Sequence, residues 1–338
     1  MQKDLVSILT PCYNTGTILY RLLDSILMQD YPFIEMFTIN DGSTDNTEEV
    51  IKSYIPKFKA KGYKLTYIYQ ENSGQSAAIN KGLKLVNGEF LIWPDSDDFF
   101  SSNSAISTFV SELKNHNNDY AIARSLPTEV AENDCQIISQ LAINSDIAAE
   151  EQFLNCLYSK NFIWPPVNYM IKMDAFDKVN PKREIYVEKN AGQNWQMLLP
   201  LLFSYKCITI NKHLCRVLVR KASHSRGQYS TYKQLLKRIS SYRNTLINTL
   251  DRIYLMQDSE KQKYKKEIIN NYKLQELDLS VIYGNKEDEH RLILELEAEN
   301  IAIPYNKLRK IKLRRSFLGK IAHYIIKTIR YSKKILND

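Results

Sequence analysis

Hydrophobic and polar positions alternate between two patterns over the first 125 residues. Short apolar runs typical of buried strands are separated by longer segments in which apolar residues recur at helical spacing. The strands are predicted at 5–10, 34–40, 65–70, 90–93 and 120–124. The helices between them are predicted at 18–27, 46–58, 76–86 and 104–114. Strands and helices that alternate through short links predict an α/β fold with a mostly parallel central sheet and helices on both faces.

The pattern changes twice after residue 125. Residues 126–230 are less regular, with a predicted lid or loop insertion over 130–147 and an apolar helix over 195–204. Further along, segments rich in Lys, Glu and Leu predict helices at 232–250, 259–277 and 287–300. We therefore predict three parts, namely an α/β domain over 1–230, a helical region over 231–304 and a tail over 305–338.

The composition is that of a globular protein in a reducing compartment. Of the 338 residues, 44% are hydrophobic and 25% are charged. The five cysteines are an odd number without a CxxC pair, which argues against a disulfide framework or a zinc cluster. The sequence also lacks an apolar run long enough to span a bilayer and the apolar core of a signal peptide. We therefore expect a cytoplasmic protein.

The positive charge is concentrated at the C-terminus. The net charge is +8, but residues 305–338 alone contain eleven Lys or Arg and one acidic residue, so the rest of the chain is slightly acidic. A nucleic-acid-binding protein normally carries its basic face on the folded domain, so we predict no nucleic-acid partner. Apolar residues interleave with the basic ones, which predicts a peripheral helix on the anionic inner face of the cell membrane. The alternative is a helix packed on its own domain or on a partner subunit, such as that of a homo-dimer.

Three aspartates directly follow the predicted fourth strand. Residues 93–98 (WPDSDD) would stand at the carboxyl edge of the sheet, where open α/β sheets bind ligands. Carboxylate oxygens are the ligands that Mg²⁺ and Mn²⁺ prefer, and these ions in turn hold phosphate oxygens. The segment therefore predicts a nucleotide-diphosphate substrate held through Mn²⁺ or Mg²⁺. The alternative is an acidic turn that caps the next helix.

Four motifs together resemble the signature of a known family. They are 7–14 (SILTPCYN), 39–45 (INDGSTD), 71–80 (ENSGQSAAIN) and 95–98 (DSDD). In this order they are similar to the motifs of family 2 glycosyltransferases of the GT-A fold, strongly over 4–125 and loosely over 126–230. The resemblance implies a Rossmann-like GT-A domain, an inverting mechanism, a nucleotide-sugar donor and Mn²⁺ or Mg²⁺.

The resemblance also implies which residues bind the nucleoside. Pro11 and Tyr13 fall where the first strand ends beside the nucleobase, and the Tyr13 ring would stack on a uracil face. The alternative is that Tyr13 packs the strand end. Asp41 matches a carboxylate that accepts a hydrogen bond from the base or ribose, although Asn40 stands where the family usually has another acid. The alternative for Asp41 is a turn that caps a helix.

The next two motifs supply contacts to the rest of the donor. Ser73 and Gln75 fall near the nucleotide, at a helix N-terminus whose N–H groups suit an anion. A plain turn is the alternative. Asp95 and Ser96 would face the ribose or sugar. Asp97 and Asp98 would lie near the metal, Asp97 with a direct role in catalysis, and the sequence does not decide which of the two binds it.

A late basic segment adds a phosphate-binding candidate. Related GT-A enzymes often place a histidine on the metal or diphosphate, and His224 is the residue that matches here. Arg220 and Arg226 flank it and would clamp phosphate oxygens. A lone histidine is otherwise structural or surface-exposed.

The general base is where the sequence departs from the family. The family usually carries this carboxylate in a Glu-Asp pair at the start of an apolar helix, but here the matching residues are Gln193 and Asn194. An amide is not a base at neutral pH. Glu188 ranks first as the true match, Asp174 and Asp177 are alternatives, and lost activity or a differently activated acceptor is the third explanation.

The resulting prediction is a metal-dependent, inverting transferase. It would move a sugar from a UDP-sugar to a hydroxyl of a growing surface glycan, such as a capsule, a lipopolysaccharide or a lipid-linked oligosaccharide. A nucleotidyltransferase is the second hypothesis, although residues 10–16 are not the Gly-rich basic loop of that class. A degenerate transferase that serves as a membrane-associated scaffold is the third.

Overall fold

The computed structural model describes residues 1–189, 191–220, 229–305 and 307. The chain divides into two compact units, the first with residues 1–228 and 244–262 and the second with residues 229–243 and 263–338. The three-part division expected from the sequence stays a prediction.

The first unit contains all the described strands and eight of the described α-helices. The strands are β1 (Gln2–Cys12), β2 (Ile34–Asp41), β3 (Lys64–Gln70), β4 (Gly88–Ile92), β5 (Phe99–Phe100), β6 (Tyr120–Ala131), β7 (Ile137–Gln140), β8 (Tyr169–Lys172) and β9 (Lys206–Val219). The helices are α1 (Tyr20–Leu27), α2 (Thr47–Lys61), α3 (Gln75–Leu83), α4 (Ala105–Asn115), α5 (Ser145–Ala148), α6 (Phe153–Leu157), α7 (Met173–Val179) and α8 (Asn194–Ser204).

The strands form one mixed sheet in the order β3-β2-β1-β4-β8-β6-β9-β5, with β7 paired to β6. Strands β3, β2, β1 and β4 are parallel, as their alternation with helices predicts. Strand β8 then joins β4 antiparallel, and β6 is antiparallel to β8 but parallel to β9. The α/β class and the helical C-terminal region are confirmed, and the sheet is mixed because β8 lies antiparallel to both of its neighbours.

Alternation along β1 sends side chains to both faces of the sheet. Val6 and Ile8 pack in one core cluster with helices α1, α2 and α4. Leu9 points to the opposite face, where a Cβ on Gly82 of α3 would lie 2.0 Å from its Cδ1. Both faces are therefore covered, which leaves the carboxyl edge of the parallel strands as the place for a ligand.

One segment differs from its sequence-based description. Residues 130–147, expected to be a lid or loop insertion, include the end of β6, the whole of β7 and the start of α5. Strand β7 pairs antiparallel with β6, and all four of its residues are exposed. Its apolar residues Ile137 and Ile138 face solvent, which explains why the sequence shows no burial pattern there.

The remaining helices lie close to where helical spacing predicted them. They are α9 (Tyr232–Asp251), α10 (Asp258–Tyr283) and α11 (Lys286–Ala298). In the second unit, Leu277 and Val281 of α10 pack with Leu292 and Leu296 of α11 in a small core. Among the described residues, none of the helices combines the length and the apolar character needed to cross a bilayer.

Candidate active site

The three aspartates after β4 converge at the carboxyl edge of the sheet. Asp95, Asp97 and Asp98 each offer one carboxylate oxygen, and these oxygens lie within 4.8 Å of one another. A turn produces this convergence, since the Asp98 N–H donates to the carbonyl oxygen of Asp95 at 3.2 Å. Ser96 is buried within the turn. We call Asp95, Asp97 and Asp98 the acidic cluster.

Burial makes ionisation of the acidic cluster unfavourable. Desolvation, and then the charge of Asp97, raises the pKa of Asp95 to about 7. Desolvation and the charges of Asp97 and Asp95 also raise the pKa of Asp98, which is only 4% exposed. The Leu218 N–H opposes this shift by donating to Asp98 Oδ1 at 3.1 Å. A divalent cation would offset the mutual repulsion of these carboxylates.

The acidic cluster fits a divalent cation by its chemistry and size. All three ligand atoms are carboxylate oxygens, the type that Mg²⁺ and Mn²⁺ take. Oxygens about 2.1 Å from one octahedral ion are at most about 4.2 Å apart, so the side chains need to converge only slightly. Which of Asp97 and Asp98 would bind it stays a prediction.

Arg220 already lies against the acidic cluster. Its Nη2 forms a salt bridge of 2.8 Å with Asp97 Oδ2. The Arg220 Nε is buried and has no hydrogen-bond partner among the described residues. Arg220 thus neutralises Asp97 and holds an unused donor beside it. His224 and Arg226, the other two predicted members of this segment, lie outside the described residues.

Asp41 positions the loop that follows β3. Its Oδ1 accepts hydrogen bonds from Gln70 Nε2 at 2.7 Å and from the Ser73 N–H at 2.8 Å, and its Oδ2 accepts one from the Gly74 N–H at 2.9 Å. Asp41 therefore holds the loop between β3 and α3, and the alternative of a helix-capping turn after its own strand stays a prediction. Its contact with a base or ribose stays a prediction.

Two amide side chains reach Asp95 from different elements. Gln75, the first residue of α3, donates from Nε2 to Asp95 Oδ1 at 2.5 Å. Gln193 precedes α8, is 1% exposed and donates to the same oxygen at 3.3 Å. The contact of Gln193 with Asp95 was not predicted from the sequence. The position of Gln193 directly before an apolar helix was the pattern that could have indicated it.

Asn194 begins α8 with a fixed amide. Its Nδ2 donates to the carbonyl oxygen of Trp164 at 2.8 Å, so its Oδ1 faces away from that carbonyl. This Oδ1 is buried and has no partner among the described residues. Asn194 therefore keeps a buried hydrogen-bond acceptor one residue after the contact of Gln193 with Asp95, and its role in catalysis stays a prediction.

Of the three candidate bases, Asp174 and Asp177 lie towards the amino edge of the sheet, apart from Glu188. Glu188 is half-buried. The next residue, Lys189, lies against the loop after β3, since a Cβ on Gly74 of that loop would be 3.4 Å from the Lys189 Cα. Asp177 instead forms a salt bridge of 2.6 Å with Arg183. Because Arg183 also donates to the carbonyl oxygen of residue 86, before β4 begins, Asp177 lies at the amino edge.

Asp174 also lies towards the amino edge of the sheet. Strand β8 runs antiparallel to β4, with Lys172 opposite Phe90, so α7 begins beyond the amino end of β4. Asp174 lies in the first turn of α7. This position favours Glu188 over Asp174 and Asp177, and the identity of the general base stays a prediction.

The end of β1 forms the other side of the edge. Pro11 is buried opposite Ile39 of β2, whereas Tyr13 is 51% exposed and offers a ring face to a ligand. The chain after Tyr13 is tied to the loop after β2, because the Asn14 N–H donates to Ser43 Oγ at 3.0 Å. This bond fixes the chain that follows Tyr13, and the stacking of Tyr13 on a nucleobase stays a prediction.

Further buried polar atoms at this edge have no partner among the described residues. They belong to residues at strand ends or in first helical turns. They are Thr10 Oγ1, Ser76 Oγ and Trp93 Nε1. A buried polar group without a partner costs about 1–3 kcal/mol, a cost that a polar ligand at this edge would remove.

Comparison with known sequences identifies a family. The model of the family described as Glycosyl transferase family 2 matches residues 7–179, which is half of the chain. The chain is similar to the glycosyltransferase GlyA of Streptococcus pneumoniae, with 28% identity over 250 residues that cover 72% of this chain and 35% of GlyA. The chain spans half or less of the length of the curated relatives it matches.

Solved structures show the same fold at low identity. The chain is similar to S. aureus TarS 1-349 in complex with UDP-GlcNAc, with 17% identity, a TM-score of 0.56 and coverage of 82% of this chain and 80% of that one. It is also similar to the mannosyltransferase PcManGT of Pyrobaculum calidifontis in complex with GDP-Man and Mn²⁺, with 15% identity, a TM-score of 0.53 and coverage of 98% and 87%. The fold is GT-A.

Proposed function

The chain belongs to glycosyl transferase family 2, and from this premise we propose that it is a metal-dependent, inverting glycosyltransferase. Its donor is a nucleotide-diphosphate sugar bound at the carboxyl edge of β1–β4. The observation that carries the proposal is the convergence of three carboxylate oxygens within 4.8 Å, beside Arg220, whose buried Nε has no partner among the described residues. Such an arrangement is costly to fold and is explained by a charged, polar ligand.

The donor is a UDP-sugar. TarS, whose fold this chain shares, was solved with UDP-GlcNAc. The exposed ring of Tyr13 stacks on the base, and Pro11 fixes the strand end beside it. Asp41 holds Ser73 and Gly74 in place, so that the loop before α3 meets the nucleotide.

The acidic cluster and Arg220 handle the diphosphate. Asp97 and Asp98 hold Mn²⁺ or Mg²⁺, the ion that PcManGT contains beside GDP-Man. When bound, this ion supplies positive charge to the departing diphosphate. Asp97 would share its charge with the bound ion, so the Arg220 guanidinium that now pairs with Asp97 would be available to phosphate oxygens. Arg226 and His224 add to this phosphate site.

Two groups prepare the acceptor hydroxyl. Asn194 Oδ1 accepts a hydrogen bond from the acceptor sugar, which orients it beside Asp95. Glu188 takes the hydroxyl proton as the oxygen attacks the anomeric carbon from the face opposite the diphosphate. Attack from this side inverts the anomeric configuration.

The acceptor is a growing surface glycan at the inner face of the cell membrane. The basic tail over 305–338 supports this placement by its sequence, since a charge of about +10 with interleaved apolar residues suits an anionic leaflet. The tail lies outside the described residues, except for Tyr305 and Lys307.

Hydrolysis of a panel of nucleotide sugars, with and without Mn²⁺, tests the function. We expect one UDP-sugar to be hydrolysed slowly with metal and not at all with EDTA. The variants Asp97→Ala and Asp98→Ala should each lower that rate at least about tenfold, because the ion is lost. If both variants keep full metal-dependent turnover, the acidic cluster is not the metal site.

A catalytically degenerate scaffold is the alternative function. Amides at Gln193 and Asn194, where the resemblance implies acids, favour it. The same panel separates the two, since a scaffold binds a nucleotide sugar without hydrolysing it, and fails to transfer to any glycan. Turnover of one donor would exclude the scaffold.

A further inference from the structure

The three tryptophans of the chain are connected by aromatic contacts in the first unit. Trp93 follows β4 and stacks on Tyr169 with ring centroids 6.4 Å apart, and Tyr169 stacks on Phe162 at 6.1 Å. Phe162 then meets Trp164 at 4.8 Å, and Trp164 meets Trp195 at 5.1 Å. The sequence has no other tryptophan, so all its indole rings belong to this set of five residues, which we call the aromatic group.

Burial decreases along the aromatic group. Trp93 and Tyr169 are fully buried, whereas Phe162, Trp164 and Trp195 are partly exposed. Phe162 is held from within the protein, because it stacks on Tyr169 and the buried Arg124 guanidinium lies 5.6 Å from the centre of its ring. The part of the aromatic group that a ligand can meet is therefore formed by Trp164 and Trp195.

Trp164 and Trp195 form a corner with one free donor. Their ring planes meet at 75°, in an edge-to-face arrangement. The Nε1 of Trp195 donates to the carbonyl oxygen of Cys156 at 3.1 Å, which fixes that ring. The Nε1 of Trp164 has no hydrogen-bond partner among the described residues and is not one of their buried unpaired atoms, so solvent or a ligand reaches it. We call the two rings the indole corner.

The indole corner lies at the same edge of the sheet as the acidic cluster. Strand β8 runs antiparallel to β4, so its first residue, Tyr169, lies towards the carboxyl end of β4. Asn194 Nδ2 donates to the carbonyl oxygen of Trp164 at 2.8 Å, and the preceding residue, Gln193, donates to Asp95 Oδ1 at 3.3 Å. Since the Cα atoms of consecutive residues are about 3.8 Å apart, this pair holds the indole corner close to Asp95.

The chemistry of the indole corner suits a neutral sugar ring. A pyranose has faces of C–H groups, which pack against aromatic rings, and a rim of hydroxyl oxygens, which accept from an N–H group such as Trp164 Nε1. Neither indole carries a charge, so a diphosphate is better bound at Arg220 and at an ion in the acidic cluster.

We propose that the indole corner binds the acceptor sugar, the unit that carries the reacting hydroxyl. The chemical class of this ligand rests on the proposed glycosyl transfer. One face of the pyranose ring packs in the corner between Trp164 and Trp195, and Trp164 Nε1 donates to one of its oxygens. Gln193 and Asn194 then set the distance between this ring and Asp95.

Tryptophan fluorescence tests the indole corner without turnover. Because all three tryptophans belong to the aromatic group, the whole tryptophan emission of the chain comes from this place. The probes are the methyl β-glycosides of glucose, galactose and N-acetylglucosamine, titrated into the full chain saturated with UDP and Mn²⁺. We expect one of them to change the emission with a millimolar dissociation constant, as a single sugar unit with few contacts does.

Two variants of Trp164 separate the ring from its N–H group, with Trp195 as the remaining reporter at the corner. Trp164→Phe keeps an aromatic face and removes the donor, so glycoside binding should weaken about fivefold. Trp164→Ala removes both and should weaken binding at least about tenfold. Thermal unfolding reports whether each variant folds, and Trp164→Phe remains decisive if Trp164→Ala does not.

Tyr254→Ala is the matched control. Tyr254 is an aromatic residue of the same unit, is 57% exposed and does not belong to the aromatic group. Its loss should leave glycoside binding unchanged.

The outcomes separate this inference from the proposed transfer. If none of the three glycosides changes the emission of the unmodified chain, or if the folded Trp164 variants bind one as tightly as the unmodified chain does, the indole corner is not the acceptor site. Metal-dependent hydrolysis of a nucleotide sugar with either result leaves the proposed transfer standing. Glycoside binding that depends on Trp164, without hydrolysis of any donor, supports the sugar site and overturns the transfer.

Discussion

Two neutral amide side chains, and no further carboxylate beyond the acidic cluster, contact Asp95 among the described residues. Gln75 and Gln193 donate to the same Asp95 oxygen, while Asp97 lies close enough to raise its pKa. A glutamate at position 193 would place a fourth carboxylate there, without another cation than Arg220 among the contacts described. The amide is therefore compatible with a donor site, and its presence does not by itself argue for lost activity.

The raised pKa of Asp95 predicts a pH-dependent effect of metal on stability. Between the ordinary pKa of 3.8 and about 7, the folded chain keeps the Asp95 proton that the unfolded chain has lost. The free energy of unfolding of the metal-free protein therefore falls as pH rises through this window. The ion binds the deprotonated acidic cluster. The gain in the free energy of unfolding on adding Mn²⁺ should therefore grow from pH 5.5 to pH 7.5, the interval in which Asp95, with its pKa of about 7, ionises.

Differential scanning fluorimetry in EDTA and in Mn²⁺, across this range, measures the effect. Asp95→Asn removes the ionisation and should flatten the metal-free dependence, with the part due to Asp98 remaining. An increment in melting temperature on adding Mn²⁺ that is the same at both ends of the range would contradict the assignment.

Replacement of Glu188 predicts a loss in catalysis without a loss in donor binding. A general base contributes about 10²–10⁴-fold to the rate, so Glu188→Gln should lower kcat by that order. The dissociation constant for the UDP-sugar with Mn²⁺, measured by calorimetry, should stay unchanged because the acidic cluster is intact.

Asp174→Asn is the matched control for Glu188→Gln. Asp174 is a carboxylate of the same domain but lies at the amino edge of the sheet, so its loss should leave kcat unchanged. A normal kcat for Glu188→Gln would remove Glu188 as the base.

At the scale of elements, the contact between α3 and β1 predicts an unusual effect of alanine. Alanine normally favours a helix over glycine by about 1 kcal/mol. In Gly82→Ala, however, the new Cβ would lie 2.0 Å from Cδ1 of Leu9, which is fully buried. We therefore expect a loss of about 1–3 kcal/mol in the free energy of unfolding, measured in urea.

A double-mutant cycle isolates the clash between Gly82 and Leu9. Leu9→Ala alone should cost about 2–5 kcal/mol because it leaves a cavity. Adding Gly82→Ala in that background should then cost little or stabilise, since the clashing methyl group is gone. Equal costs of Gly82→Ala in both backgrounds would show that Leu9 is not the obstacle.

The elements also show what the sequence can predict. Helices α1–α4 and strands β1–β4 follow from local patterns, because β1, β2 and β4 are mostly buried apolar runs and each helix buries one face. Strands β5, β7, β8 and β9 were not predicted. Strands β5, β7 and β8 have four residues or fewer and carry little periodicity, and β9 pairs with the distant strands β6 and β5. Sequence distance also separates the two parts of the site. The three aspartates were predicted because they lie in one motif, whereas the contact between Gln193 and Asp95 joins residues 98 positions apart and was not predicted.

At the scale of the whole molecule, charge and chemistry are separated along the chain. The residues proposed to bind the donor and the acceptor lie between positions 11 and 226, in a part of the chain with little net charge. The basic residues over 305–338 come after all the residues assigned to the site. This separation predicts that membrane binding and donor hydrolysis are lost independently.

Deletion of residues 305–338 tests the separation. The full chain should sediment with vesicles of phosphatidylglycerol and phosphatidylcholine and should be released by salt, because each basic residue near the surface contributes about 1 kcal/mol that salt screens. The shortened chain should remain in solution and keep its metal-dependent hydrolysis.

A charge-matched control, Phe317→Ser with Ile321→Ser, retains the basic residues and should bind more weakly than the full chain, since an interfacial helix also needs its apolar face. Binding of the shortened chain at full strength would assign membrane contact elsewhere in the molecule, whereas undiminished binding of the serine variant would reduce the tail to a purely electrostatic anchor.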